Sequence, residues 1–359
     1  MGCAITYSFA SGQSPLPNAV LEEIRADLHR PATGGLSLLE HPFTSGEARA
    51  ILNGTEASIR TLLNVPDSYE VLFLQGGAYA QFGILAMNLG GHDRVGAYVQ
   101  SGHWSQRAMN EARPWIKVHH AAEGNGRQLP LPEVWGVPAN AAYCHYTSNE
   151  SAEGLQYPEL PSDVGAPLVA DMTADFLMRP VDVAAHGLIY ASGQKNLGIA
   201  GLTVVIISKD LLARCTGAVP APFDYRRQVQ ENSKVNTPPL FAVAVAGRVC
   251  DWLLSRSGLP GAKARSREKA QQLYCLVEEQ GFYSSPVDPR FRSKVSIRFH
   301  LPNQELETHF LADARAEGLL HLQGHPEIGG IRASLYNLVS LEAVQALAQF
   351  MIEFRRRRG

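Results

Sequence analysis

The 359-residue sequence has no Cys-x-x-Cys pair, no long apolar run and no strong charge of either sign. Its five cysteines, Cys3, Cys144, Cys215, Cys250 and Cys275, are scattered. That argues against a zinc site or a disulfide framework and fits a reducing, cytoplasmic location. No stretch approaches the ~18 consecutive apolar residues that a membrane span needs. The start, Met1 to Ala10, lacks the basic and apolar regions of a secretory signal. Met1-Gly2-Cys3 followed by Thr6 superficially suggests myristoylation, but patterns this short arise by chance. A formal net charge of −2 and a pI near 6.6 leave no electrostatic footprint for nucleic acid or an anionic membrane. The one basic cluster, Arg355 to Arg358, ends a predicted helix, where cations suit the helix dipole. Internal repeats and low-complexity tracts are absent too. What is present is ordinary for a globular chain: 45% hydrophobic and 18% charged residues, with length enough for two domains.

The patterning divides in two. From residue 70, short apolar runs alternate with helical spacing. Strands are predicted at 71–74, 95–99, 141–146, 166–170, 186–190 and 202–207, and helices at 78–89 and 105–112. Helices are also predicted at 18–29 and 47–63, the second with Ala50, Ile51, Ile59, Leu62 and Leu63 on one face. Continuous apolar strands suit a mostly parallel sheet covered by helices on both faces. After Pro238-Pro239 come helices at 240–255 and 266–279. A half-exposed strand at 294–299, a helix at 303–317, strands at 319–322 and 330–335, and a final helix at 341–354 follow. This reads as a smaller α+β domain. We expect an N-terminal arm over 1–15 that joins the small domain, a large domain over 16–255 and a small domain over 256–359.

Several polar features fall at carboxyl ends of predicted strands, the edge where open parallel sheets bind ligands. Lys195 lies in the turn Ala191-Ser-Gly-Gln-Lys-Asn-Leu-Gly198 between two apolar runs. A lysine there is exposed, paired or covalently used. The covalent use is a Schiff base to pyridoxal phosphate. Asp171 follows a strand and either caps a turn or faces a pyridinium nitrogen. It precedes Lys195 by 24 residues with one strand between, so both side chains can reach one crevice. Gln75-Gly-Gly77 opens a helix whose free N–H groups can hold a phosphate, or is simply a turn. Trp104 is a core residue or a plate for an aromatic ring. Asn149-Glu-Ser151 adds polar groups between them.

In this order the features resemble the phosphoserine aminotransferase family, homodimeric pyridoxal-phosphate enzymes of fold type I. The likeness runs nearly end to end. It is carried by Ser-Gly at 11–12, Leu62-Leu-Asn-Val-Pro66, Asn140-Ala-Ala-Tyr143, Arg179-Pro-Val-Asp182, Gly193-Gln-Lys-Asn196, Asn236-Thr-Pro-Pro239 and Gly329-Gly-Ile-Arg-Ala-Ser-Leu-Tyr-Asn337. The resemblance implies that Lys195 binds the cofactor and moves the proton. It implies that Asp171 pairs with the ring N–H, that Trp104 stacks on the ring, and that Ser151 (usually Thr) lies near the ring hydroxyl. Ala78 and Tyr79 lie at the cofactor's edge. Gln194 holds the cofactor phosphate, together with Asn236 and Thr237 of the other subunit. Arg332 clamps the substrate α-carboxylate.

The departures concern the substrate side chain. Phe43 and Thr44 stand where the family has His-Arg, and His325-Pro326 where it has a second His-Arg. Tyr79 replaces an arginine. Losing two or three charge-assisted bonds, about 1.5–3 kcal/mol each, weakens a phosphate grip by powers of ten. The expectation is an aminotransferase whose substrate lacks phosphate. The alternatives are a phosphoserine transaminase with a compensated site, a non-transaminating pyridoxal-phosphate enzyme such as a lyase, desulfurase or decarboxylase, and a non-catalytic binding protein on the same scaffold. The absence of a cysteine near the site disfavours a desulfurase.

Overall fold

The structure, a computed structural model, describes residues 6–29, 35–216, 219–279 and 281–359. The Met1-Gly2-Cys3 pattern, Cys3 itself and the first part of the arm lie outside the described residues. In chain order the elements open with β1 (Tyr7–Ser8), α1 (Asn18–Leu28), α2 (Gly46–Leu63), β2 (Tyr69–Gly76), α3 (Ala78–Leu89), β3 (Gly91–Gln100), α4 (His103–Ala112) and β4 (Ile116–Glu123). Then come β5 (Ala141–Thr147), β6 (Asn149–Glu150), β7 (Leu155–Gln156), β8 (Leu168–Asp171), β9 (Leu188–Ser192), β10 (Gly201–Ser208), α5 (Lys209–Leu212) and α6 (Tyr225–Gln230). The chain closes with α7 (Leu240–Leu254), α8 (Gly258–Glu278), β11 (Ser296–Phe299), α9 (Gln304–Ala316), β12 (Leu319–Leu320), β13 (Gln323–His325), β14 (Gly329–Ser334) and α10 (Leu341–Arg358).

The central sheet has the order β2-β10-β9-β8-β5-β3-β4. Only β10 runs against its neighbours; the other pairings are parallel. Its strands bury both faces, and alternate residues go to different cores. Val71, Phe73, Val204 and Ile206 pack into one core with α1, α2 and α7. Leu72, Leu74, Val205 and Ile207 pack into the other with α3 and α4. This period of two explains why the strands read as continuous apolar runs. The architecture is therefore the expected α/β sheet with helices on both faces.

A third core gathers α8, α9 and α10 against the three-stranded sheet β11-β14-β13. Phe9 is buried in it, and β1 pairs in parallel with β12 through Tyr7–Leu319 and Ser8–Leu320. The described part of the N-terminal segment is thus pinned to this lobe by a short strand.

The differences from the sequence expectation have local causes. Strand β4 was not expected; it is an edge strand with exposed Lys117, His119 and His120, so it carries no apolar run. Helix α8 begins eight residues before 266, because Pro260 falls in its first turn, where no N–H is needed. Ala50 is exposed; α2 buries Ala48, Leu52 and Thr55 instead, one step round the helix. Asp171 is the last residue of β8, not the one after it. Strand 319–322 shortens to two residues, and His321 turns the chain with φ 62°.

Candidate active site

Strands β2, β3, β5, β8 and β9 all point their carboxyl ends at one edge of the sheet. There they surround a cavity of about 480 Å³. Larger clefts exist, one of about 550 Å³ between α1, α2 and α7 and one of about 710 Å³ beside Trp115, but both lie away from these strand ends.

The β9–β10 turn carries Lys195 and is tied down from outside the sheet. Ser14 N–H donates to the Gln194 carbonyl at 2.9 Å, and Gln13 Nε2 to the Gly198 carbonyl at 2.8 Å. Asn196 donates to the Ala174 carbonyl at 3.0 Å and accepts the Asn337 N–H at 3.0 Å. The two sequence blocks that carry the family likeness most specifically thus meet through Asn196 and Asn337. Gly193 is required by crowding, because a Cβ there would lie 2.4 Å from the Ile199 carbonyl oxygen.

Held this way, Lys195 lines the cavity with 8% of its surface exposed. Its Nζ donates to Ser151 Oγ at a long 3.4 Å and stands 5.6 Å from the centre of the Trp104 ring. Among the described residues no carboxylate pairs with it. Burial pushes its pKa down to about 8, Arg332 adds to the fall, and Asp171 opposes it. An amine so placed is far more often neutral at neutral pH than a surface lysine, which makes it a nucleophile and a base.

Asp171, 4% exposed, accepts the Thr173 N–H at 2.9 Å through Oδ1. Burial raises its pKa, and the Thr173 bonds resist the rise. Trp104 lies in the first turn of α4, and its Nε1 donates to Ser151 Oγ at 3.0 Å. The N-cap, Gly102, has no side chain to cap the first turn of α4, although Ser105 Oγ accepts the Gly102 N–H at 2.9 Å. Distant carboxylates do so instead. Glu150 accepts the N–H groups of Trp104 at 3.0 Å and Ser105 at 2.9 Å, and Glu153 accepts that of His103 at 2.8 Å. A Cβ on Gly102 would come within 2.9 Å of both carboxyl carbons, so glycine leaves room for the pair. Burial and the neighbouring Glu153 push Glu150 up to about 8.

Ser151 joins the parts. Its hydroxyl meets Trp104 and Lys195, and its carbonyl accepts Arg332 Nη1 at 3.0 Å. Arg332 Nη2 donates to Ser11 Oγ at 2.7 Å, which brings the N-terminal segment into the site. Gly77, Ala78 and Tyr79 line the cavity at the start of α3, where Ala78 N–H donates to Ser192 Oγ at 2.6 Å. Gln194, His325 and Pro326 complete this wall. The His325 ring centre is 4.3 Å from that of His103. Burial, then His103 and Arg332, lower the His325 pKa.

Four expected residues are elsewhere. Phe43 is half-buried and Thr44 exposed in the turn before α2, and neither lines the cavity. Asn236 donates to Gln75 Oε1 at 2.9 Å, and the Gln75 amide donates to the Thr237 carbonyl; neither residue lines the cavity of its own chain. Conversely, Ser11, Phe82, Thr147, Thr173 and Ser192 line it without having been singled out. The strand-end rule finds Thr147, Thr173 and Ser192. Ser11 belongs to the Ser-Gly pair at 11–12 that carries part of the family likeness, and the β1–β12 pairing holds its segment near the site. Among the described residues no group of His, Cys, Asp or Glu is placed to hold a metal ion, and no helix is long and apolar enough to cross a membrane.

Comparison with known proteins agrees with this geometry. The family model for Aminotransferase class-V matches residues 6–347. The chain is 43% identical over 357 residues to a phosphoserine aminotransferase of Laribacter hongkongensis (strain HLHK9), covering 98% of this chain and 99% of the relative. It resembles the solved phosphoserine aminotransferase of Bacillus circulans subsp. alkalophilus with a TM-score of 0.97 at 38% identity, over 99% of this chain and 100% of that one. It also resembles the pyridoxal-phosphate-bound phosphoserine aminotransferase of Trichomonas vaginalis with a TM-score of 0.92 at 33% identity, over 97% and 100%. A buried lysine of lowered pKa, a buried carboxylate, an indole wall and an arginine in one cavity, on a chain matched over nearly its full length, lead to one assignment: the chain belongs to the class-V aminotransferase family, pyridoxal-phosphate-dependent enzymes that move an amino group between an amino acid and a 2-keto acid.

Proposed function

We propose that Lys195, Asp171, Trp104, Ser151, Gln194 and Arg332 are the working residues of this transaminase, and that its substrate carries no phosphate. One observation carries the first part: a buried amine with a single long hydrogen bond lines the same cavity as a buried carboxylate, an indole and an arginine. The donor set fits pyridoxal phosphate. Besides the amine, Thr147 Oγ1 and Asn149 Nδ2 belong to lining residues and have no hydrogen-bond partner among the described residues. Such orphaned polar atoms suit a polar ligand.

When bound, the cofactor supplies an electron sink that acidifies the substrate Cα–H. The protein's residues do the rest. Asp171, kept from water, holds a proton on the ring nitrogen. Trp104 orients the ring, with its own position set by Ser151 and Glu150. Ala78 and Tyr79, at the start of α3, and Gln194 hold the phosphate end, where helix N–H groups favour an anion. Arg332 grips the α-carboxylate with a fork already oriented by Ser11 and Ser151. Lys195 Nζ takes the proton from Cα and returns it.

Asn236 and Thr237, which lie off their own cavity beside Gln75, support a homodimer in which they complete the neighbouring site; Phe43 and Thr44 reach across in the same way. Mixing Lys195→Ala and Asn236→Ala subunits tests this, since heterodimers retain one intact site; no recovered activity and a monomeric mass in light scattering would count against it. The free, mostly buried cysteines support a cytoplasmic, reducing location.

The phosphate-free substrate rests on Phe43, Thr44, Tyr79 and Pro326 standing at the positions of the family's cationic grip. The relatives' shared name favours phosphoserine as the second reading, at about 40% identity over nearly the whole chain. Steady-state kinetics with phosphoserine and 2-oxoglutarate decide between them; efficient turnover sinks the phosphate-free reading.

A further inference from the structure

A cavity of about 260 Å³ lies where the central sheet meets the lobe of α8, α9 and α10, and it shares no lining residue with the strand-end site. Tyr157 and Arg179 form one wall. Helix α8 supplies a second through Lys263 and Arg267, and the segment 290–294 a third. Six of the chain's 32 lysines and arginines line it: Arg179, Lys263, Arg267, Arg290, Arg292 and Lys294. No aspartate or glutamate lines it. On a chain of net charge −2, this gathering is set by the fold and not by composition.

Two of the six cations already have anionic partners. Arg179 Nη2 donates to Asp175 Oδ2 at 3.1 Å, and its Nη1 to the Tyr157 carbonyl at 2.7 Å. Arg292 pairs with Glu278, and its Nε donates to the Val287 carbonyl at 3.2 Å. The side chains of Lys263, Arg267, Arg290 and Lys294 make no hydrogen bond or ion pair among the described residues. Asp288, which stands near Arg290, is occupied by Gln128 Nε2 and the Arg290 N–H.

The structure holds these like charges together. The Tyr274 ring centre is 5.1 Å from the Arg292 guanidinium carbon and 5.8 Å from Lys294 Nζ, so one aromatic ring serves two cations. The Lys294 backbone is fixed on both sides: its N–H donates to Gln156 Oε1 at 2.9 Å, and its carbonyl accepts Ser266 Oγ at 3.1 Å. Burial, then Arg267 and Arg292, lower the Lys294 pKa. An anion seated between these groups relieves that repulsion. The cleft is concave and smaller than the about 300–1,000 Å³ of drug-sized ligand sites, and no basic field extends it, so it suits a compact anion and not a nucleic-acid strand. Four unpartnered cations balance three to four negative charges in a small volume. A diphosphate has that charge density, and guanidinium forks match its oxygens.

We propose that this cleft binds a diphosphate group, either free or at the end of a small molecule, with Arg267 and Lys294 among its contacts. The site is separate from the transaminase chemistry and does not rest on it.

Calorimetric titration of the pyridoxal-phosphate-loaded enzyme tests this at about 0.15 M salt, where diffuse surface attraction is screened. Loading keeps the strand-end cavity filled. One saturable site per chain is expected for inorganic pyrophosphate or ADP, whichever binds tighter identifying the free or the esterified source, with orthophosphate weaker by at least about ten-fold. The double variant Arg267→Gln/Lys294→Gln is expected to weaken binding about 10²-fold, since two charge-assisted contacts are lost. Both side chains are exposed and unpartnered, so the fold should be unaffected. Lys117→Gln, on the exposed edge strand β4, should change the affinity less than about two-fold. The proposal is overturned by an absence of saturable binding up to about 1 mM. Affinity unchanged in the double variant, or an equal loss in Lys117→Gln, overturns it too. So does tighter binding of citrate or of a single-stranded oligonucleotide than of either diphosphate.

Discussion

Two lysines are buried among the described residues, and they differ in what their amines bond to. Lys195 is 8% exposed and Lys269 4%. Burial lowers both, Lys195 to about 8 and Lys269 to about 7, where Arg265 adds to the effect. By acidity alone Lys269 is the more perturbed. Yet Lys269 Nζ donates to the Tyr336 carbonyl at 2.6 Å and the Val339 carbonyl at 3.0 Å. It ties down the turn after β14, the strand that carries Arg332. Lys195 has one bond, at 3.4 Å, and lines a cavity. A perturbed pKa marks burial; a site also needs spare valence and room for a ligand.

The largest effect that tests this contrast is on chemistry. Lys195→Ala should abolish transamination, by at least about 10³-fold, since both the covalent anchor and the base are lost. Its visible cofactor absorbance should vanish while circular dichroism stays native. Lys269→Met should keep that absorbance; loss of it would place Lys269 in the site and break the comparison. Next comes Asp171→Asn, expected to lower kcat by about 10²-fold with cofactor still bound, because an amide cannot hold the ring proton electrostatically. Rates close to wild type would return Asp171 to a turn-capping role. Third, Lys269→Met should destabilise the fold by about 2–4 kcal/mol in urea unfolding, since two buried carbonyls lose their donor.

The last effect is pH-dependent, small over any one pH unit, and acts on both lysines in the cofactor-free protein. Each folded-state pKa lies below the ordinary 10.5, so the unfolded chain binds more protons between the two values. Stability therefore rises with pH, from about 8 to 10.5 for Lys195 and from about 7 to 10.5 for Lys269. Each contributes a slope of at most about 1.4 kcal/mol per pH unit. Replacing either lysine with Met should flatten the curve in its own window. A wild-type curve that falls with pH across this range would contradict both assignments.

Sequence reading reached the site unevenly. Lys195, Asp171, Trp104 and Arg332 were visible because each sits at a strand end or in a block with a specific local pattern. Glu150 was named only as part of a polar cluster and Glu153 not at all, because what they cap, the start of α4, lies about fifty residues earlier. Gly102 is the gap that admits both carboxylates. Ser11 holds Arg332 across more than three hundred residues, and no local signal announces that.

The sequence by itself determined the alternation of strands and helices, the two-sided burial of the sheet and the order of the polar groups along its edge. Those follow from residue period and strand-end position, which are local properties. Only the tertiary structure decided which buried lysine has spare hydrogen-bonding capacity beside a cavity, and which carboxylates fix Trp104. These depend on distances between segments far apart in the chain, and hydrogen-bond supply at a buried group is set by whatever the fold brings beside it.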